Sequence, residues 1–168
     1  MRIHEFVLAD AAALNTSLYS RFTALSGTDR VRCTHHVGGR FENIYIARAD
    51  IPQIGVVLDA VQQQAARLLG MAAETLRAGF WFNAMQAGQR TSLHHHDEND
   101  ELLSGVYYIR VPELSGELIL HAAGSQIRIR PQEGKLVLFP PAVLHEVTQH
   151  PGPGLRLSVG MNIGPLDG

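Results

Sequence analysis

The spacing of apolar positions changes about halfway along the chain. Leu14, Leu18, Phe22 and Leu25 recur every three or four residues, which predicts a helix over residues 8–26 with Asp10 at its N-cap. Ile54, Val57, Val61, Ala65 and Leu68 repeat that spacing and predict a second helix over 51–69. Asp50 suits its N-cap, Pro52 its first turn and Gly70 the position past its end. Residues 38–49 read as a strand between the helices. From Gly79 onward the period falls to two. The segments GFWFNAM, LSGVYYIRV, GELILH, SQIRIR, KLVLFP, HEVTQ and LRLSVGMNI are separated by Gly, Pro, Asp and Asn. Gln126, Arg128 and Arg130 face one side of their segment, Ile127 and Ile129 the other. Short strands with a turn signal about every 8–12 residues predict a sandwich or jelly roll rather than a doubly wound sheet. The expected class is mainly β with N-terminal helices (α+β), two helices packing outside one sheet. The expected organisation is one domain, 1–168, with 1–78 as a helical support and 79–168 as the jelly-roll core.

Composition narrows the function. The 168 residues are 45% hydrophobic and 18% charged, a globular balance. Fourteen Lys and Arg against sixteen Asp and Glu give a net charge of −2, so no nucleic-acid partner is expected. Apolar runs reach about five residues, far short of a span, so no membrane partner is expected either. The opening MRIHEFVLAD does not read as a secretory signal, and a cytoplasmic location is the expectation. The single cysteine, Cys33, excludes an intrachain disulfide and a cysteine metal cluster. No Gly-x-Ser-x-Gly occurs, so nucleophilic hydrolysis has little support. A free jelly-roll edge makes a homodimer the expected assembly.

The chain holds nine histidines, three of them consecutive at 94–96. On a strand, i and i+2 share a face, so this run offers two metal pairs, His95 with Asp97 or His94 with His96. His96 with Glu98 is a further register. His145, after an apolar strand and a Pro-Pro turn, is the best distal ligand, with His121 in reserve. Two imidazoles and one carboxylate leave three positions open and suit a redox-active Fe(II); a closed zinc site wants a fourth ligand. The competing reading of 94–98 is a solvated polar loop. Arg156 lies in an otherwise apolar strand and shares a face with Ser158. A buried Arg needs an anion, and its fork matches a carboxylate. That anion is either an acid of the protein or an exogenous dicarboxylate.

The order His95-x-Asp97, His145, Arg156-x-Ser158 resembles the Fe(II)/2-oxoglutarate-dependent oxygenases. Trp81-Phe82-Asn83, the histidine run, Leu103-Ser104-Gly105-Val106-Tyr107-Tyr108, Leu136–Pro140 and Arg156–Val159 with Asn162 are similar, more narrowly, to a subgroup of 2OG-Fe(II) oxygenases. The resemblance covers residues 80–163 and implies a double-stranded β-helix. It implies His95, Asp97 and His145 as iron ligands, and 2-oxoglutarate held by Arg156 and Ser158 with help from Tyr108 or Asn83. Members of the subgroup carry His-x-His where His95-x-Asp97 aligns, so the register stays open by one residue. The implied reaction hydroxylates a small molecule or peptide while 2-oxoglutarate and O₂ become succinate and CO₂. Asp97 argues for hydroxylation over halogenation, because no site is vacated for halide.

A cupin is the rival resemblance. Its motifs meet Gly88, His94-x-His96 and Glu101, then Gly134, Pro140 and His145. That reading puts a metal on His94, His96, Glu101 and His145 and leaves Arg156-x-Ser158 unexplained. Residues 27–43 and 97–102 are the expected pocket walls, with Gly38–Phe41 as a flap. Arg40, Arg90 and Arg128 are candidates for an acidic substrate or plain surface charges.

Overall fold

The computed structural model describes residues 2–97, 99–122 and 124–166. Two antiparallel sheets face each other. The large sheet runs in the order β1 (His4–Val7), β9 (Lys135–Phe139), β6 (Leu103–Arg110), β11 (Arg156–Pro165), β4 (Leu76–Met85), β3 (Arg40–Ile46) and β2 (Val31–Val37). The small sheet runs β5 (Thr91–His94), β10 (His145–Val147), β7 (Leu118–Ala122) and β8 (Ser125–Ile129). From β4 onward the chain passes back and forth between the sheets, pausing in the small one for the β7–β8 hairpin, which gives a jelly roll.

Strand alternation divides the apolar side chains into two cores. On β11, Leu157, Val159, Met161 and Ile163 point outward and are fully buried. They meet α1 (Ala11–Leu25) through Leu18, Phe22 and Leu25, and α2 (Ile54–Leu69) through Ile54, Val57, Val61 and Ala65. The second core lies between the sheets. Met85, Tyr108, Val137 and Phe139 of the large sheet pack against Leu118, Leu120, Val143 and Val147. Each large apolar side chain so buried contributes about 1.5–3 kcal/mol.

Both predicted helices form, with different ends. Asp10 sits at the N-cap of α1 with φ 54° and makes no capping bond. Asp50 does not cap α2. Its carboxylate pairs with Arg30 at 2.9 Å and its carbonyl accepts from Arg21, and the helix begins only after Gln53. Gly70 closes α2 as expected, with φ 68°.

The first 78 residues do more than support the core. β1, β2 and β3 all join the large sheet, and only β3 is predicted by the pattern. β1 has four residues, too few to show a period. β2 is an edge strand exposed on both faces, so it carries no apolar alternation. Gly38 and Gly39 form the β2–β3 turn at φ 58° and 79°.

Candidate metal centre and anion pocket

Strand pairing builds the first half of the site. β10 aligns His145 opposite His94 on β5. His96 follows two residues on, beyond the end of the strand, where its backbone N–H donates to Pro141 O at 3.0 Å. The candidate ligand atoms of His94, His96 and His145 all lie within 4.8 Å of one another. Ring centroids are 4.2 Å apart for His94–His145, 4.8 Å for His94–His96 and 5.1 Å for His96–His145.

Backbone carbonyls orient two of these rings. His94 Nδ1 is 2.7 Å from Ser92 O, and His145 Nδ1 is 2.8 Å from Val143 O. A carbonyl can only accept, so Nδ1 carries a proton in both and Nε2 is the nitrogen left to ligate. Burial, reinforced by His94, pushes His145 down to about 3. The same causes in the same order bring His96 down to about 4. Both imidazoles are therefore neutral at neutral pH, the form that binds a metal.

The expected set His95, Asp97 and His145 is not the one this fold assembles. His95 and Asp97 are exposed, and their closest tie is to each other, Asp97 N–H to His95 Nδ1 at 3.3 Å. The i, i+2 alternation allowed either register, and the His94–His145 pairing brings the other one inward. Glu98 lies outside the described residues. His121 is turned away in a 3.0 Å contact with Glu146. Glu101 does not join the three imidazoles, although its charge acts on His96.

The second half of the site lies on the inner face of the large sheet. Ser158 is opposite Asn83 on one side and Tyr108 on the other, so the three form a row across β4, β11 and β6. Arg156 is fully buried. Its Nη1 donates to Ser158 Oγ at 3.2 Å and to Met85 Sδ at 3.7 Å. Its Nε and Nη2 have no partner, and neither has the Tyr108 hydroxyl. The guanidinium carbon stands 5.3 Å from the Tyr108 ring centroid. Burial lowers Arg156 from its ordinary value, yet guanidinium stays cationic in proteins. Burial likewise pushes the Tyr108 hydroxyl up to about 12, so it remains a donor. Among the described residues no carboxylate pairs with this cation. An unpartnered buried cation with two free donors and a neighbouring hydroxyl is the environment a carboxylate ligand fits.

Asn83 is engaged elsewhere. Its amide donates to Glu42 O and Thr91 Oγ1 at 3.1 Å each, and its oxygen accepts from Arg40 at 3.3 Å. Arg40 is buried among these groups, so it is neither a surface charge nor part of a free flap. Arg128 pairs with Glu117 at 3.0 Å. A small cavity of about 50 Å³ is lined by the three histidines with Trp81 and Phe139 and reaches the second half of the site at Asn83 and Ser158. A larger open groove of about 700 Å³ lies beside the β2–β3 turn and contains none of the three histidines.

The comparisons with known proteins agree on the fold. The family model described as "Putative 2OG-Fe(II) oxygenase" matches residues 79–129. A search among curated proteins found no match. Among solved structures, an oxidoreductase of the 2OG-Fe(II) oxygenase family from Burkholderia pseudomallei is 15% identical, with a TM-score of 0.69 over 96% of this chain and 84% of that one. A prolyl-4-hydroxylase from Pseudomonas putida is 19% identical, with a TM-score of 0.69 over 96% of this chain and 91% of that one. The non-heme alpha-ketoglutarate-dependent epimerase SnoN of nogalamycin biosynthesis is 13% identical, with a TM-score of 0.75 over 96% of this chain and 76% of that one.

Two facing sheets, a histidine triad between them and a buried cation without a carboxylate partner define the class, a double-stranded β-helix with a candidate metal centre and an anion pocket. Residues 79–129 match the family model of the 2OG-Fe(II) oxygenases, and the fold over nearly the whole chain is that of solved structures of that class.

Proposed function

We propose that this protein hydroxylates a C–H bond, converting substrate, O₂ and 2-oxoglutarate into alcohol, succinate and CO₂. His94, His96 and His145 hold the Fe(II), and Arg156, Tyr108 and Ser158 hold the distal carboxylate of 2-oxoglutarate. The observation that carries the reading is Arg156, fully buried, with Nε and Nη2 unpartnered.

Each residue has a definable task. Arg156 binds a carboxylate through two parallel N–H bonds, and the Tyr108 hydroxyl donates a third. Ser158 steadies the guanidinium from the cavity side. The carbonyls of Ser92 and Val143 accept the Nδ1 protons of His94 and His145 and so leave Nε2 as the ligating nitrogen of each. Val106, Leu118, Phe139 and Val147 line the cavity and exclude water. Fe(II), when bound on the three imidazoles, would supply open coordination positions and the electrons for O₂ chemistry.

One test is an anaerobic titration of apoprotein with Fe(II) and 2-oxoglutarate, followed by visible absorption. A charge-transfer band that requires both additions and disappears in His96→Ala and His145→Ala supports the reading. Persistence of the band in both variants rejects the ligand set. A second reading, a cupin-type enzyme, is favoured by the same His94-x-His96 and His145 triad. It predicts metal binding without a 2-oxo acid response, and it leaves the orphaned Arg156 without a role. A cytoplasmic location, a small-molecule or peptide substrate and a homodimer are also proposed. Cell fractionation, succinate-release screening and sedimentation test them in turn. Among the described residues no helix is long and apolar enough to cross a membrane.

A further inference from the structure

The three candidate ligands are not held alike. His94 and His145 are paired strand residues with carbonyls on Nδ1. His96 lies past the end of β5, and among the described residues no hydrogen bond orients its ring. Its ring meets the Trp81 indole instead, with centroids 5.1 Å apart and planes tilted by 56°. Trp81 is in turn fixed from below. It pairs across the sheet with Gly160, and a Cβ at Gly160 would stand 2.5 Å from indole Cε2 and 2.6 Å from Nε1. Only a glycine lets the indole lie flat on β11 and reach His96.

We propose that Trp81 is a positioning residue for His96, and that Gly160 is the gap that lets it act. The indole does for the third imidazole by packing what the two carbonyls do for the others by hydrogen bonding. This rests on the triad as the metal site. It also makes the geometry of that site sensitive to a residue that touches no metal.

Trp81 is the chain's one tryptophan, so its fluorescence reports this contact alone. The experiment titrates Co(II) into apoprotein, reading both the d–d absorption and, where Trp81 is present, its quenching. It compares wild type, Trp81→Leu, Trp81→Phe, His96→Ala and the double variant Trp81→Leu/His96→Ala. Circular dichroism checks the fold of each. Loss of an orienting partner costs on the order of 10-fold in metal affinity, so Trp81→Leu is expected to weaken Co(II) by about that factor and alter the d–d spectrum. Trp81→Phe recovers part of both. In the His96→Ala background, Trp81→Leu has no further effect, because the group it positions is gone. An equal loss with and without His96 overturns the proposal, as does an unchanged d–d spectrum in Trp81→Leu. Gly160→Ala, which lifts the indole while keeping it, is expected to reproduce the spectral change. Should wild type bind no Co(II), or His145→Ala bind it as well as wild type does, the triad itself fails and the proposal falls with it.

Discussion

The chain buries two arginines in neighbouring parts of the jelly roll, and their surroundings are opposite. Arg40 is 7% exposed and donates to the carbonyls of Phe41, Ala84 and Arg90, to Asn83 and to Thr91, with the Glu42 carboxylate 3.9 Å away. Arg156 is fully buried and has one hydroxyl and one thioether. Glu42 is satisfied in the same way as Arg40, through the Ser92 N–H and hydroxyl at 2.8 Å each. The Arg40 region is thus a closed polar network that ties the edge of the large sheet to β5. The Arg156 region is an open one. A buried charge without a partner costs several kcal/mol, so a fold retains it where a ligand supplies the partner. Burial alone does not separate a structural cation from a ligand-binding one; the count of unpartnered donors does.

The comparison can be broken most directly at Arg40. Arg40→Leu leaves Asn83, Thr91 and three carbonyls without their donor and Glu42 without its ion-pair partner, and is expected to cost about 3–5 kcal/mol in urea unfolding. A loss below 1 kcal/mol, measured by the same method, removes the distinction between the two arginines.

Arg156→Leu should do the reverse. Unliganded stability stays level or rises, since an unpaired buried charge is removed. The affinity for 2-oxoglutarate falls by about 1.5–3 kcal/mol, roughly 10- to 150-fold, with Co(II) binding intact. Thermal shift with added 2-oxoglutarate provides the readout: wild type is protected, the variant is not. Normal cosubstrate affinity in the variant would assign the orphaned donors no function.

Acid sharpens the contrast on the metal side. His145 and His96 have folded values below the unfolded imidazole, so the unfolded chain binds more protons than the native one below about pH 6.5. Their contribution is fully present above that pH and declines as pH falls toward their folded values. For the buried His145 the slope is at most about 1.4 kcal/mol per pH unit, and the more accessible His96 adds less in the same direction. Apoprotein melting followed from about pH 7 to 5 should show this decline, and His145→Ala should flatten it.

The smallest effect belongs to the exposed pair. His95→Ala and Asp97→Ala should change stability by no more than about 0.5 kcal/mol and leave Co(II) affinity near wild type. Loss of metal binding in Asp97→Ala would restore the two-histidine, one-carboxylate set.

The chain's own pattern determined a good deal of this protein. Periods of 3.6 and 2 specify α1, α2 and the strands from β4 onward apart from the short β5, because each element must bury one face. Arg156 stood out as a charge inside an apolar strand, and its need for an anion followed from burial alone. The histidine run carried both possible faces, and tertiary structure chose between them. A strand's alternation says which residues travel together, and only the neighbour it pairs with says which face turns inward. Here that neighbour is His145, fifty-one residues beyond His94. β1 left no period because it has only four residues, and β2 because it is exposed on both faces. The fates of Arg40 and Arg156 were also undecided. Hydrogen-bond partners supplied by distant strands leave no local trace in a sequence, and they make one arginine a brace and the other a receptor.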